Sequence, residues 1–314
     1  MEASLGEKNP EGHVPVLLSE VLENLALGPG DHVIDGTVGG GGHAVGLLQA
    51  TAPDGRLLGL DRDPEAVARV KERLARESER VQIIQSSFRR IKAVARDMDF
   101  PPAGGILLDL GVSSQQLASP VRGFSFVKDG PLDMRFDPSQ ERTAADLVNH
   151  LPVDELAQLL YRFGEERQSR RIARAIEAAR PLESTRQLAR VIQEAVSGGR
   201  GRIHPATKSF QALRIAVNDE LGVLEEVLPQ AVELLRPGGR LAVISFHSLE
   251  DRLVKRFFRD QARDCICPPE QPICTCNHKR VLRLITRRPV RPTARETEQN
   301  PRARSARLRV AEKL

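Results

Sequence analysis

Asp35-Gly36-Thr37-Val38-Gly39-Gly40-Gly41-Gly42-His43 sets an acid at the end of a short apolar run, and five glycines follow within seven residues. The helical spacing of Ala44, Leu47 and Leu48 begins directly behind them. A strand, a glycine turn and a helix bring backbone N–H groups up to a nucleotide-like ligand, because glycine permits the dihedrals and the close approach. A second apolar run ends at Asp61, 22 residues after Gly39. From that place a carboxylate reaches both hydroxyls of a ribose. A third run, Gly105-Ile-Leu-Leu-Asp109, leads into Leu110-Gly111-Val112-Ser113-Ser114. In a doubly wound sheet ligands lie beyond the carboxyl ends of the strands, so Asp109 is expected to face the ligand's reactive end. Together these residues point to an adenosyl cofactor.

The elements that must position these residues alternate. Strand-like runs at 32–36, 57–61, 81–85, 105–110 and 240–246 are separated by helical stretches, among them 67–74 and 91–98. An α/β fold with a mostly parallel sheet covered by helices follows. Val14 to Leu27 reads as an amphipathic helix ahead of the first strand. Between Asp109 and Leu241 the rhythm breaks, for about 130 residues intervene where a crossover needs a dozen to thirty. The stretch 143–196, rich in Ala, Leu, Arg, Glu and Gln, predicts a helical insertion with Ser197–Arg202 as its exit linker. A long helix follows, apolar at Phe210, Leu213, Val217, Leu221, Leu224 and Leu228, which Pro229 is expected to kink or divide.

The 314 residues carry 40% hydrophobic and 28% charged side chains, which fits a globular protein with its own cores. Aromatics are scarce, with no Trp, one Tyr and ten Phe, so a Phe outside an apolar pattern is informative. No apolar run approaches the roughly 18 residues of a membrane span. Charges and prolines occupy Met1 to Glu20 where a signal peptide needs apolar residues, so a cytoplasmic protein without a membrane partner is expected. The net charge of +5 hides an asymmetry: Lys279 to Leu314 hold twelve Lys or Arg against three Glu, a local +9 that leaves −4 for the remainder. Basic residues gathered at one end suit a phosphate-rich partner, although a solvated tail has the same composition.

Seven segments in order carry a resemblance: Asp35–His43, Asp109–Gln116, Arg122–Phe126, Asp129–Arg135, His204–Arg214, Ser245–Asp251 and Asn300–Ser305. With the turn Leu235-Arg-Pro-Gly-Gly-Arg-Leu241, they make the chain resemble, over about residues 12–314, the bacterial small-subunit ribosomal RNA cytosine-N4 methyltransferases of the RsmH (MraW) type. The resemblance implies a class I S-adenosylmethionine-dependent methyltransferase, Rossmann-like, with an inserted all-helical domain. Its parts would be residues 1–114 and 206–314 for the methyltransferase domain and 115–205 for the insertion. S-adenosylmethionine is the implied cofactor, and 16S ribosomal RNA, in an assembled or nearly assembled small subunit, the implied partner. Matched residue by residue, Gly41, Gly42 and His43 form the turn against the cofactor, Asp61 is the ribose acid and Phe88 lies beside the adenine. Asp109 and Gln116 supply the remaining contacts. Each has a plainer reading: Phe88 as core, Gln116 as a loop residue, His43 as the start of a helix.

The chemistry asks for little else. The exocyclic amine of cytosine is a poor nucleophile because its lone pair is delocalised into the ring. An enzyme must hold it in line with the methyl donor while an acceptor draws on its N–H. Asp109 is the candidate acceptor, with Ser113 or His247 assisting. A paired base must also leave its stack, and Phe124, Phe126 or Phe246 could hold the extruded ring; for the first two, anchoring a loop in the core is equally apt. Lys208, Gln211, Arg214 and Asn218 form one polar stripe that could meet RNA or simply be solvated. Arg302, Arg304, Arg307 and Arg309 could bind phosphates, yet the alternation at 304–310 also describes a half-exposed strand. Ser248 is expected to cap a helix beginning at Leu249, leaving His247 for function. The cysteines, Cys265, Cys267, Cys274 and Cys276, could bind zinc, pair as disulfides or simply stay reduced, and their spacing is not the usual Cys-x-x-Cys; catalysis requires no metal.

Three other functions compete. Gly39-x-Gly41-x-x-Ala44 satisfies the loose dinucleotide pattern of a nicotinamide oxidoreductase, but that reading leaves Asp109, the insertion and the basic end without purpose. A non-catalytic RNA-binding module on the same fold is the second. DNA amine methylation is disfavoured because no Asp/Asn/Ser-Pro-Pro-aromatic motif occurs.

Overall fold

The computed structural model describes residues 15–196, 204–268, 270–271 and 273–314. The Ser197–Arg202 linker and Val14 lie outside them. The chain divides into two compact units, one made of residues up to Gly111 and from Val223 onward, the other of Val112–Gly222. Among the described residues no helix is long and apolar enough to cross a membrane.

The first unit is built on seven strands: β1 (Val33–Asp35), β2 (Leu57–Asp61), β3 (Val81–Gln85), β4 (Ala103–Asp109), β5 (Leu235–Ser245), β6 (Leu282–Leu284) and β7 (Arg307–Lys313). Their order is β3-β2-β1-β4-β5-β7-β6. The first five are parallel; β7 runs antiparallel to β5 and β6. All of β1 and all of β4 except Asp109 are buried, as expected of strands covered on both faces. The chain builds β1, β2 and β3 outward in one direction, then restarts at β4 on the other side of β1. A crevice opens at such a reversal, beyond the carboxyl ends of β1 and β4. The helices Leu18–Leu25, Gly42–Ala50 and Pro64–Arg73 contribute Val21, Leu47 and Val70 to the core over this sheet.

The second unit is helical, with Ser114–Ala118, Ala144–His150, Val153–Gly164, Ser169–Ala179, Thr185–Ala195 and Thr207–Asn218. Leu147, Leu160, Ile176, Leu188 and Leu213, one from each of the last five, sit in a single apolar core. Two expectations change here. The helix Thr207–Asn218, assigned by sequence to the methyltransferase part beyond residue 205, belongs to this unit because Phe210 and Leu213 complete that core. The long helix also divides at Asp219, not at Pro229. Asp219 is left-handed (φ 50°) and caps the first helix, whereas Pro229 lies within the next, Glu220–Leu234.

Candidate active site

The turn after β1 is wired to its neighbours through the backbone. Gly36 N–H donates to Leu107 O (2.9 Å) and Val38 N–H to Leu60 O (3.0 Å). Gly41, at φ 77°, caps the helix Gly42–Ala50, a conformation that a side chain would strain. A Cβ on Gly42 would come within 2.5 Å of Pro15, so packing alone demands glycine there. Thr37 ties two strand tips together: its Oγ accepts the Asp109 N–H (2.7 Å) and lies 3.4 Å from Asp35 Oδ1.

Asp61, Asp35 and Asp109 end the adjacent strands β2, β1 and β4. Asp61 accepts the Gly39 N–H on one oxygen (2.8 Å) and the Asp63 N–H on the other (2.9 Å), which fixes its plane and leaves lone pairs for further donors. Burial raises its pKa, and the two N–H donors oppose that shift. Asp35 is fully buried; Oδ1 accepts the Thr37 N–H (3.0 Å), while Oδ2 has no hydrogen-bond partner among the described residues. Burial, then the charge of Asp61, pushes its pKa from 3.8 to about 7. Asp109 Oδ1 likewise has no hydrogen-bond partner among the described residues, and Oδ2 lies 3.6 Å from His43 Nε2. Burial, the Asp35 charge and the Glu250 charge raise the Asp109 pKa well above its ordinary value. A quarter of the Asp109 side chain is nevertheless open to solvent, so the group is reachable yet poorly hydrated. Phe88 opens a short 3₁₀ turn after β3, half-buried, with its Cβ 3.5 Å from where a Cβ on Gly36 would stand.

This is a basin of acids that repel one another and hold two unfilled buried oxygens. It fits a ligand that brings positive charge and N–H or O–H donors. S-adenosylmethionine has both, in its sulfonium, its ammonium and its ribose hydroxyls. A dinucleotide pyrophosphate would instead bring anionic charge against Asp35 and Asp61.

Gln116 belongs to the second unit. It is buried, and its side-chain oxygen accepts the Ser113 N–H (3.0 Å) while its own N–H donates to Ser113 Oγ (3.2 Å). That capping box engages Ser113 as well. Phe124 is core, 8% exposed and stacked on Phe136 at 5.4 Å between centroids; Phe126 packs on Phe210 and His204. Phe124 is closed to a base, and Phe126, half-buried, is held by its packing on those two rings. The polar stripe is occupied too. Lys208 and Gln211 donate to the carbonyls of Glu165 and Phe163, Arg214 forms a bidentate pair with Glu220, and Asn218 is wholly buried. Gln211, Arg214 and Asn218 thereby hold the helical unit together, while Lys208 stays exposed at the surface.

At the end of β5 the cap falls one residue earlier than expected. His247, not Ser248, precedes the helix Ser248–Gln261; its Nδ1 accepts the Glu250 N–H (3.3 Å) and Nε2 lies 3.1 Å from Glu250 Oε1. His247 is therefore engaged as a cap. Asp251, three residues after Ser248, holds Arg307 (2.8 Å) and Arg309 (2.6 Å). Arg309 is thus buried and structural; a strand was expected at 304–310 as half-exposed, but β7 begins at Arg307 and is buried along its middle. A cavity of about 250 Å³ is lined by Phe246, His247, Ser248, Arg291, Arg304 and Arg307, with Ser305 and Ala306. Arg291 was not singled out by sequence; the Arg-Pro pair it forms with Pro292 carried no periodic signal. Phe246 is half-buried, 3.6 Å from where a Cβ on Gly111 would lie.

Known proteins place this arrangement. The chain is 54% identical over 305 residues to the ribosomal RNA small subunit methyltransferase H of Thermomicrobium roseum, spanning 96% of this chain and 94% of that protein. The protein of the same name from Syntrophotalea carbinolica is 54% identical over 307 residues (96% and 98%), and that of Geobacter sulfurreducens 53% over 307 (96% and 99%). A model of the MraW methylase family matches residues 11–314. The chain belongs to the MraW methylase family.

Proposed function

We propose that the chain is an S-adenosylmethionine-dependent methyltransferase acting on the exocyclic N4 amine of a cytosine in the decoding centre of 16S ribosomal RNA. Its substrate is the assembled or nearly assembled small subunit in the cytoplasm. One observation carries the donor site: adjacent strand tips bear Asp61, Asp35 and Asp109, the last two each with an unpartnered oxygen. The substrate class, small-subunit ribosomal RNA, follows from the names of relatives that match nearly full length, and the cytosine N4 amine from the resemblance carried by the seven sequence segments.

When bound, S-adenosylmethionine supplies a methyl group on a sulfonium, open to displacement by a nucleophile. Gly41, Gly42 and His43 would border it, Asp61 would accept from its ribose hydroxyls and Phe88 would lie beside its adenine. Asp109 accepts an N–H of the amine, which increases electron density on that nitrogen, and takes the proton the amine sheds once the new N–C bond has formed. The raised pKa of Asp109 makes it the stronger base for this task. His43 Nε2 lies 3.6 Å from the Asp109 carboxylate, on the side where the turn would border the donor. Phe246 is the aromatic left to stack on an extruded base, and Arg291 and Arg304 in the adjoining cavity suit RNA phosphates.

The test supplies labelled S-adenosylmethionine and unmodified small subunits, then maps the labelled nucleoside. N4-methylcytidine at a decoding-centre position is expected. Asp109→Ala should fold and lose at least about 100-fold in transfer, the low end for removing a general base. Label in another nucleoside would overturn the acceptor, and full activity in the variant would remove Asp109 from the chemistry.

A further inference from the structure

Between the helix Ser248–Gln261 and β6 the chain runs for some twenty residues without a helix or a strand among those described. None of the described residues from Ala262 to Val281 is buried, and Ile266 and Ile273 are 49% and 74% exposed. The two ends of the segment are fastened: Val281 N–H donates to Gln261 O (2.9 Å), and His278 Nε2 lies 3.0 Å from Asp260 O. Its middle has no apolar core. A loop of this length without structure of its own is uncommon in a compact domain, and segments that cannot bury apolar surface are ordered by disulfides or metals.

All four cysteines of the protein fall in that segment, as free thiols. Their sulfurs lie within 4.8 Å of one another. Cys274 and Cys276 are 3.6 Å apart, Cys276 and Cys265 3.8 Å. Four thiolates at about 2.3 Å from one ion stand about 3.8 Å apart along the edges of their tetrahedron. The Cys267 N–H points at Cys265 Sγ (3.4 Å), the kind of donor that steadies a metal-bound thiolate. His278 is engaged with Asp260, so the ligand set is four sulfurs.

We propose that Cys265, Cys267, Cys274 and Cys276 bind a single zinc ion and that this site is structural. Four sulfur ligands complete a tetrahedron and leave no position for water or substrate, unlike a catalytic zinc. Soft thiolates in a tetrahedral set select zinc over magnesium, calcium or manganese. Lys279, three residues after Cys276, brings positive charge to the segment that would carry a zinc tetrathiolate. The ion closes the segment and hands the chain in a defined direction to β6.

The full chain, purified under reducing conditions without metal-affinity resin or chelator, should contain one zinc per molecule by elemental analysis. Its four thiols should react with a thiol reagent only after an organomercurial displaces the metal. Replacement by cobalt should give the intense visible bands of tetrahedral thiolate coordination. Cys267→Ser with Cys276→Ser should lose the zinc and become cleavable by protease within 262–281. If that variant fails to fold, the metal content and cobalt spectrum of the unaltered protein still decide. Four freely reactive thiols without metal, two disulfides without metal, or stoichiometric iron would each overturn the proposal.

Discussion

The acidic rim of the sheet and the polar core of the helical unit treat buried polar groups in opposite ways. Asp35 is fully buried with one oxygen unpartnered, and its pKa rises to about 7. Asn218, equally buried, donates to Met134 O (2.8 Å) and Arg214 O (2.9 Å) and accepts the Phe136 N–H (2.8 Å). Each was a reasonable functional candidate by residue type. Unfilled capacity separates them. A polar group whose hydrogen bonds are closed by its own fold stabilises that fold, whereas one left open costs stability and gains it back only with a ligand.

The largest test of this contrast is the pH dependence of Asp35. Its pKa is about 7 in the native chain against 3.8 as the ordinary value. Between those two the native state holds more protons than the unfolded one, so stability is full below the lower value and falls as pH rises through the upper. At about 1.4 kcal/mol per pKa unit the loss is of order 4 kcal/mol. Asp35→Asn removes this titration, so urea unfolding should show the variant gaining on the unaltered protein by a similar amount from about pH 4 to about pH 8. A sulfonium or ammonium-bearing analogue should bind more tightly as pH rises through 7, and Asp35→Asn should blunt that gain. A stability difference that stays flat with pH would place Asp35 with Asn218.

On the other side of the contrast, Asn218→Ala opens three hydrogen bonds around a buried loop in which Met134 already has φ 63°. Unmet donors and acceptors of this kind cost about 3 kcal/mol together. A drop of that size in unfolding free energy is expected, with the affinity for small subunits unchanged where the variant remains folded. Full stability with weakened RNA affinity would return Asn218 to the polar stripe read from sequence.

How much was legible follows the same division. The strands, the glycine turn and the acids at 35, 61 and 109 stand out because apolar runs and glycines encode local geometry. The break at Asp219 does not, since the loop at 134–136, far off in sequence, anchors Asn218 and ends the helix there. Pro229 looked the stronger breaker, yet it fits inside Glu220–Leu234. Arg309 could not be told from a surface arginine without Asp251, 58 residues away. Gln116, read as a ligand contact or a loop residue, is instead buried in a capping box, although its bonds to Ser113 had a local signature in Ser-x-x-Gln.

His247 gives the smallest effect and the sharpest discrimination, because two registers of one motif overlap there. Ser248 with Asp251 and His247 with Glu250 both satisfy the spacing of a capping box, and the chain uses the second. His247→Ala should therefore cost about 1 kcal/mol of stability, the usual worth of an N-cap. His247→Asn supplies a side-chain acceptor of the preferred kind and should restore most of it. Transfer rates at a permissive temperature decide the role: a cap predicts near-normal turnover in both variants, with loss in His247→Ala tracking its instability. Were both variants to fold well and both to lose turnover, His247 would join Asp109 among the groups proposed to serve the reaction.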